Sequence, residues 1–200
     1  MSKITTILLD YGRVVAPEDA EPVVQEVYGA SPEDMGAYEL FGSAVRSLGL
    51  GEANEDDVRQ KLEAYGITVP ADYRERWRRN IEEHLYPVPT MLELVAELKA
   101  QGYTVALLSN VWPLSMEIIR EHGWYDHFDQ VFLSCDLHMS KPDPEFYDTA
   151  IRALGVPPEQ ILFVDDKQKN LTYPEEIGMK TFLAENPAHA VKGIRKLLDL

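Results

Sequence analysis

Three short apolar runs in this chain end alike, and that repetition constrains the fold more than any other feature. Ile4-Thr5-Thr6-Ile7-Leu8-Leu9 stops at Asp10, Thr104-Val105-Ala106-Leu107-Leu108 at Ser109-Asn110, and Ile161-Leu162-Phe163-Val164 at Asp165-Asp166. A near-continuous apolar run reads as a strand buried on both faces, the hallmark of a parallel sheet covered by helices. Polar side chains at the carboxyl ends of such strands lie where open α/β sheets bind ligands. Three polar endings therefore point to one shared site.

The second half of the chain supplies the covering helices. Thr90-Met91-Leu92-Glu93 has capping-box spacing, and Leu94, Val95 and Leu98 continue an apolar stripe to Gly102. A helix is predicted from about Pro113 to His122 with Gly123 as its stop, then a short strand at Val131-Phe132-Leu133. Asp143-Pro144 reads as N-cap and first helical residue, and Phe146, Tyr147, Ala150, Ile151 and Leu154 form a buried face before Gly155. Strand 161–164, a helix to Gly178, strand 179–183 and a helix opening at Asn186-Pro187 complete the alternation. The predicted fold is α/β, a three-layer doubly wound parallel sheet.

Residues 16–85 lack the strand pattern. Ser31-Pro32-Glu33 and Asn54-Glu55-Asp56-Asp57 look like helix starts; Val58, Leu62 and Tyr65 share one helical face; Tyr73 to Leu85 reads as a charged amphipathic helix. This segment is predicted to be a helical cap over the site, inserted after strand one, with the core built from 1–15 and 86–200. Inserts in such positions commonly act as lids.

Composition narrows the partners. The chain has 200 residues, with 19 basic against 34 acidic side chains and a formal charge of −15, a surface that repels nucleic acid and anionic lipid. No run reaches membrane length. Cys135 is the only cysteine, so no internal disulfide can form; a packed thiol and a cytoplasmic location are expected. His84, His122, His127, His138 and His189 show no zinc-ligand spacing. The run Arg74-Glu75-Arg76-Trp77-Arg78-Arg79 reads as a solvated face balanced by acids rather than a grip on an anionic substrate.

A carboxylate attacking phosphorus needs a divalent cation, donors for the phosphate oxygens and a fixed positive charge. Asp10 and Asp166 can hold magnesium, Ser109 and Asn110 can hold phosphate, and Lys141 can supply the charge. The motifs resemble those of the haloacid dehalogenase superfamily in order and spacing. Leu8-Leu9-Asp10-Tyr11-Gly12-Arg13-Val14-Val15 resembles the first, Leu107-Leu108-Ser109-Asn110 the second, Met139-Ser140-Lys141-Pro142-Asp143 the third, and Phe163-Val164-Asp165-Asp166-Lys167-Gln168-Lys169-Asn170 the fourth. The resemblance implies a Rossmann-like core with a cap and a magnesium-dependent phosphatase acting on a small phosphate ester. In it Asp10 is the nucleophile. Asp10, the Gly12 carbonyl and Asp166 bind magnesium, with Asp165 acting through a metal-bound water. Ser109, Asn110 and the Tyr11-Gly12 backbone contact phosphate, Lys141 pairs with Asp10, and Asn170 supports the loop. Arg13 and Arg46 are cap-side candidates, and Trp112 is a candidate pocket wall.

Gly12 departs from the fuller family pattern, which has a second aspartate there as general acid and base. An epoxide-hydrolase-like or sugar-1-phosphate-phosphatase-like branch of the family is similar in having glycine. General acid help contributes about 10²–10⁴-fold, so good leaving groups such as acyl, anomeric or aryl phosphates are expected. Two other readings stay open: a metal-independent 2-haloacid dehalogenase and a non-catalytic pseudo-phosphatase. Substrate identity and oligomeric state are not written in the sequence.

Overall fold

The structure, a computed structural model, describes residues 3–17, 25–29, 31 and 34–200. Its centre is a five-stranded, all-parallel sheet in the order β3-β2-β1-β4-β5, formed by β1 (Thr6–Leu9), β2 (Thr104–Ser109), β3 (Gln130–Leu133), β4 (Ile161–Asp165) and β5 (Lys180–Leu183). Ile7, Leu8 and Leu9 of the central strand are fully buried. That is why β1 reads as an unbroken apolar run: helices cover both of its faces.

Those faces carry separate cores. Ile7, Leu9, Val105, Leu107, Leu162 and Val164 pack on one side, with Leu94 and Leu98 of α4 (Pro89–Ala100), Ile118 and Ile119 of α5 (Pro113–Glu121) and Ile194 of α9 (Pro187–Leu198). Leu8, Ala106, Leu108, Ile161 and Phe163 face the other way, against Phe146, Tyr147 and Ala150 of α7 (Pro144–Leu154) and Leu171 of α8 (Gln168–Glu176). A short helix, α6 (Ser134–Leu137), follows β3 directly. The doubly wound three-layer architecture is the one expected.

Register places the site. Leu9 pairs with Leu107 on one side and Val164 on the other, so the next residues bring Asp10 beside Asp165 at the sheet's carboxyl end. The chain runs outward from β1 to β2 and β3, then crosses back to β4, opening the crevice in which such sheets bind ligands.

Between β1 and α4 the described residues include three long helices: α1 (Met35–Gly49), α2 (Glu55–Tyr65) and α3 (Tyr73–His84). Asn54 and Asp57 make a reciprocal capping box on α2, and Gly66 ends that helix at φ +100°. The aromatic side chains Phe41, Trp77 and Trp112 seat α1 and α3 on the core, with ring centroids 4.5–5.8 Å apart. Trp77 Nε1 donates to Ser115 Oγ on α5 at 2.9 Å, and Arg78 bonds Glu121. Thus Trp77 is buried, while its arginine neighbours pair with acids: Arg74 with Glu55, Arg76 with Asp72, and Arg78 with Glu121.

Three local expectations need correction or narrowing. No capping box forms at Thr90: Pro89 takes the first helical position and Val88 precedes it, its N–H donating to Val15 O. Tyr65 is exposed, because α2 ends at that residue; its hydroxyl donates to Asp34 Oδ1 at 2.8 Å. Pro32 and Glu33 of the expected helix start lie outside the described residues, and the described N-cap is Asp34, which accepts from Ala37 N. No helix among the described residues is long and apolar enough to cross a membrane.

Candidate active site

Lys141 organises the site. It arrives on the segment between α6 and α7, next to a cis Lys141–Pro142 bond, and its side chain is 1% exposed. Its Nζ lies 2.8 Å from Asp10 Oδ1 and 2.6 Å from Asp165 Oδ2. Burial pulls Lys141 toward neutrality, but the two carboxylates outweigh it and hold the ammonium above the ordinary lysine range.

Asp10 is held from two sides. Its Oδ1 accepts from Lys141 and from the Tyr11 backbone N–H at 2.7 Å, while among the described residues no donor takes Oδ2. Burial pushes its carboxyl up to about 7; Lys141 opposes that shift, and Asp165 and Asp166 add to it. The Tyr11 N–H expected to face phosphate is thus engaged by the neighbouring carboxylate. Tyr11 anchors outward as well, its hydroxyl donating to Leu85 O at 2.9 Å.

Asp165 is fully buried and meets donors on both oxygens. Oδ2 takes Lys141; Oδ1 takes the Lys167 N–H at 2.8 Å and Asn170 Nδ2 at 2.9 Å. Asn170 therefore braces this carboxylate, and its own carbonyl accepts from Tyr147 at 2.8 Å. Asp166 lies at the rim, with Arg13 Nε 3.5 Å from its Oδ2. Carboxylate oxygens of Asp10, Asp165 and Asp166 come within 4.8 Å of one another. Three hard oxygen donors at that spacing fit a small divalent ion such as magnesium.

Asn110 does something the sequence did not suggest. Its side chain clasps the Lys141 backbone, Nδ2 donating to Lys141 O and Oδ1 accepting from Lys141 N, both at 2.9 Å. It locks the lysine loop to the end of β2. Ser109, buried beside it, has no hydroxyl partner among the described residues. Asp10, Gly12, Ser109, Asn110, Lys141, Lys167, Lys169 and Asn170 line a polar cup of about 90 Å³. Lys167 and Lys169 had received no role from the sequence. The signal was present in Asp165-Asp166-Lys167-Gln168-Lys169, where lysines flank the turn after the acidic pair. Three lysines here stand against the carboxylates of Asp10, Asp165 and Asp166, so the cup is far less negative than the rest of this acidic protein.

The outlying candidates separate. Arg46 of α1 reaches Asp143 at 2.7 Å and lines a side cavity with Lys167 and Lys169. Arg13, at φ +58°, turns toward the Glu185 carbonyl and Asp166. Trp112 is buried and forms part of a cavity wall adjoining the cup. Cys135 is half-buried with its thiol against Met116, and no cavity wall near the cup includes His138.

Comparison with known proteins agrees with this geometry. Residues 10–173 match the profile of the haloacid dehalogenase-like hydrolase family. The rat bifunctional epoxide hydrolase 2 is 30% identical over 152 residues, 72% of this chain but 27% of that protein, so the chain spans about a quarter of it. A D-ribitol-5-phosphate phosphatase from Bacteroides thetaiotaomicron is 29% identical over 198 residues, 92% of this chain and 94% of the relative. An (S)-2-haloacid dehalogenase from Pseudomonas fluorescens is 25% identical over 210 residues, 94% of this chain and 91% of the relative. Among solved structures, a haloacid-dehalogenase-family enzyme from Bacteroides thetaiotaomicron in complex with magnesium and inorganic phosphate superposes with a TM-score of 0.71 at 22% identity, covering 90% of this chain and 93% of the other. With the matched profile spanning most of its length, this chain belongs to the haloacid dehalogenase-like hydrolase family.

Proposed function

We propose that the protein is a magnesium-dependent phosphatase that hydrolyses a small phosphorylated metabolite through an aspartyl-phosphate on Asp10. The catalytic core would comprise 1–15 and 86–200, with 16–85 as its cap. The observation that carries this reading is the buried Lys141 bridging Asp10 and Asp165 at the floor of a polar cup. Two donors fix Asp10 Oδ1, which leaves Oδ2 to attack phosphorus. The P–O bond to the leaving group breaks, and water then attacks the acyl phosphate, releasing phosphate and restoring the carboxylate.

The chain's own groups divide the work. Lys141 favours the ionised form of Asp10 against the effect of burial and bears charge that develops during transfer. Asp165 and Asn110 position Lys141 from opposite sides, one at the ammonium and one at the backbone. The Ser109 hydroxyl, main-chain groups at Gly12 and Asn110, and the Lys167 and Lys169 side chains receive the phosphate oxygens. Asp10, Asp166 and the Gly12 carbonyl would hold magnesium; when bound, the ion neutralises carboxylate and phosphate charge.

Gly12 offers no proton to the departing oxygen, so esters with good leaving groups should turn over fastest. The test is purified protein with magnesium and a panel of acyl, aryl, sugar-1- and alkyl phosphates. Turnover must require magnesium and vanish in Asp10→Asn with circular dichroism unchanged; alkyl esters as fast as acyl esters would refute the leaving-group argument. A second reading has one observation in its favour, the end-to-end match to a 2-haloacid dehalogenase. Chloride release from a 2-haloacid without metal would establish it over phosphatase chemistry. No turnover on either panel would leave a binding module.

A further inference from the structure

Beside the polar cup lies a cavity of about 230 Å³, and the two share Gly12, Ser109, Asn110 and Lys167. Away from that shared edge the chemistry changes. The wall becomes mainly apolar, with Phe41, Trp77, Leu85, Val111, Trp112 and Ile119 all buried; the Tyr11 and Ser115 hydroxyls beside them are bonded to Leu85 O and Trp77 Nε1. Trp112 packs 5.5 Å from the Phe41 ring at 25° and 4.5 Å from the Trp77 ring, so aromatic groups of cap and core close the slot together. A phosphate in the cup would direct its ester oxygen across the shared edge toward these rings.

Gly42 lies at the mouth of the slot. It follows Phe41 on α1 and lines both this slot and the side cavity beside Arg46. The residue is exposed and a Cβ built there meets nothing within 4 Å, so a larger side chain fits at the mouth without a clash and can cover it. Glycine inside a helix weakens it, and its φ here is not in the left-handed region. Backbone geometry therefore does not call for glycine at this position.

Resting on the phosphatase reading, we propose that this slot is the leaving-group subsite. It takes monophosphate esters whose organic part is apolar and ring-bearing. The volume lies below the range of drug-sized pockets, which suits one ring or two fused rings rather than an extended chain. A polyol would lose hydration there for few hydrogen-bond partners, since the Tyr11 and Ser115 hydroxyls are already engaged. The neighbouring space beside Arg46, Lys167 and Lys169 suits it less, because those cations are exposed and Arg46 is engaged by Asp143.

The experiment compares 2-naphthyl phosphate with acetyl phosphate in wild type and Gly42→Leu, and follows 2-naphthol binding by quenching of tryptophan fluorescence without metal. Covering the mouth of the slot should lower the naphthyl-to-acetyl ratio of kcat/KM at least tenfold and weaken 2-naphthol binding by a similar factor. Gly42→Val gives the same reading with a smaller group should the leucine variant fold poorly. An unchanged ratio in a folded variant, with both esters still hydrolysed, overturns the subsite and leaves the phosphatase reading intact. Faster turnover of 2-phosphoglycolate than of 2-naphthyl phosphate by wild type would place the leaving group among the lysines instead, and also overturns it. Wild type hydrolysing neither ester sinks the phosphatase reading, and the subsite with it.

Discussion

Replacing Lys141 with methionine tests the arrangement that the rest of the site depends on. The ammonium is 1% exposed and sits 2.8 Å and 2.6 Å from two carboxylates, so its removal leaves two buried negative charges facing each other. Breaking a buried ion pair by deleting one partner costs about 3–5 kcal/mol. Methionine nearly matches the aliphatic stem, so packing should add less than about 1.5 kcal/mol. At about 2–4 °C per kcal/mol for a chain of this size, the melting temperature should fall by roughly 6–26 °C. Circular-dichroism melts and urea titrations at neutral pH, without added metal, measure it. Adding Asp165→Asn removes one stranded charge and keeps an acceptor for the Lys167 N–H and Asn170, so the double variant should recover about 0.5–3 kcal/mol. A loss in Lys141→Met within about 1 kcal/mol, the size of a surface pair, would mean the ammonium is solvated, and the argument for a fixed charge beside Asp10 would fail.

Other outcomes follow from the same geometry. Magnesium at about 100 times its Kd should stabilise wild type by about 2.7 kcal/mol and Asp166→Asn much less; equal melting shifts would remove Asp166 from the ligand set. Burial pushes the Cys135 thiol up to about 11. Its thiolate fraction at pH 8 is then near 10⁻³, so iodoacetamide should label the native protein at least about 100-fold more slowly than the urea-unfolded chain. Rapid native labelling would count against the buried placement. Gly193→Ala should destabilise the fold, although alanine favours helix by up to about 1 kcal/mol. The new Cβ would lie 2.2 Å from the Phe182 ring, and such overpacking typically costs about 1–3 kcal/mol. A higher melting temperature would show that the half-buried ring swings aside.

The sheet was legible because burial on both faces turns its strands into apolar runs, and parallel register then aligns their ends. Once Leu9 pairs with Leu107 and Val164, Asp10 and Asp165 must be neighbours. Helix boundaries were legible where a side chain or glycine enforces them: Asn54 accepts from Asp57 N, Asn186 accepts from His189 N, and Gly155 takes φ +69°. They were misread where tertiary contact decides, as at Thr90, where Val88 is drawn to the Val15 carbonyl and the helix begins two residues earlier.

Hydrogen-bond choices inside the site were not legible, and the reason is physical. A strand end fixes where a side chain starts but not which of several nearby partners it takes. Sequence alone leaves Asn110 free to face phosphate or the Lys141 backbone; here its side chain makes two 2.9 Å bonds to the main chain of Lys141. The boundary between cap and core is harder still. The sequence set Trp77 in a run read as a solvated face, gave Phe41 no role and offered Trp112 as a pocket wall, yet the three rings from different elements close one slot. Specificity on this scaffold is therefore set where local sequence pattern is weakest. The glycine at the mouth of that slot was silent in the sequence, because a residue without a side chain adds nothing to a helical pattern.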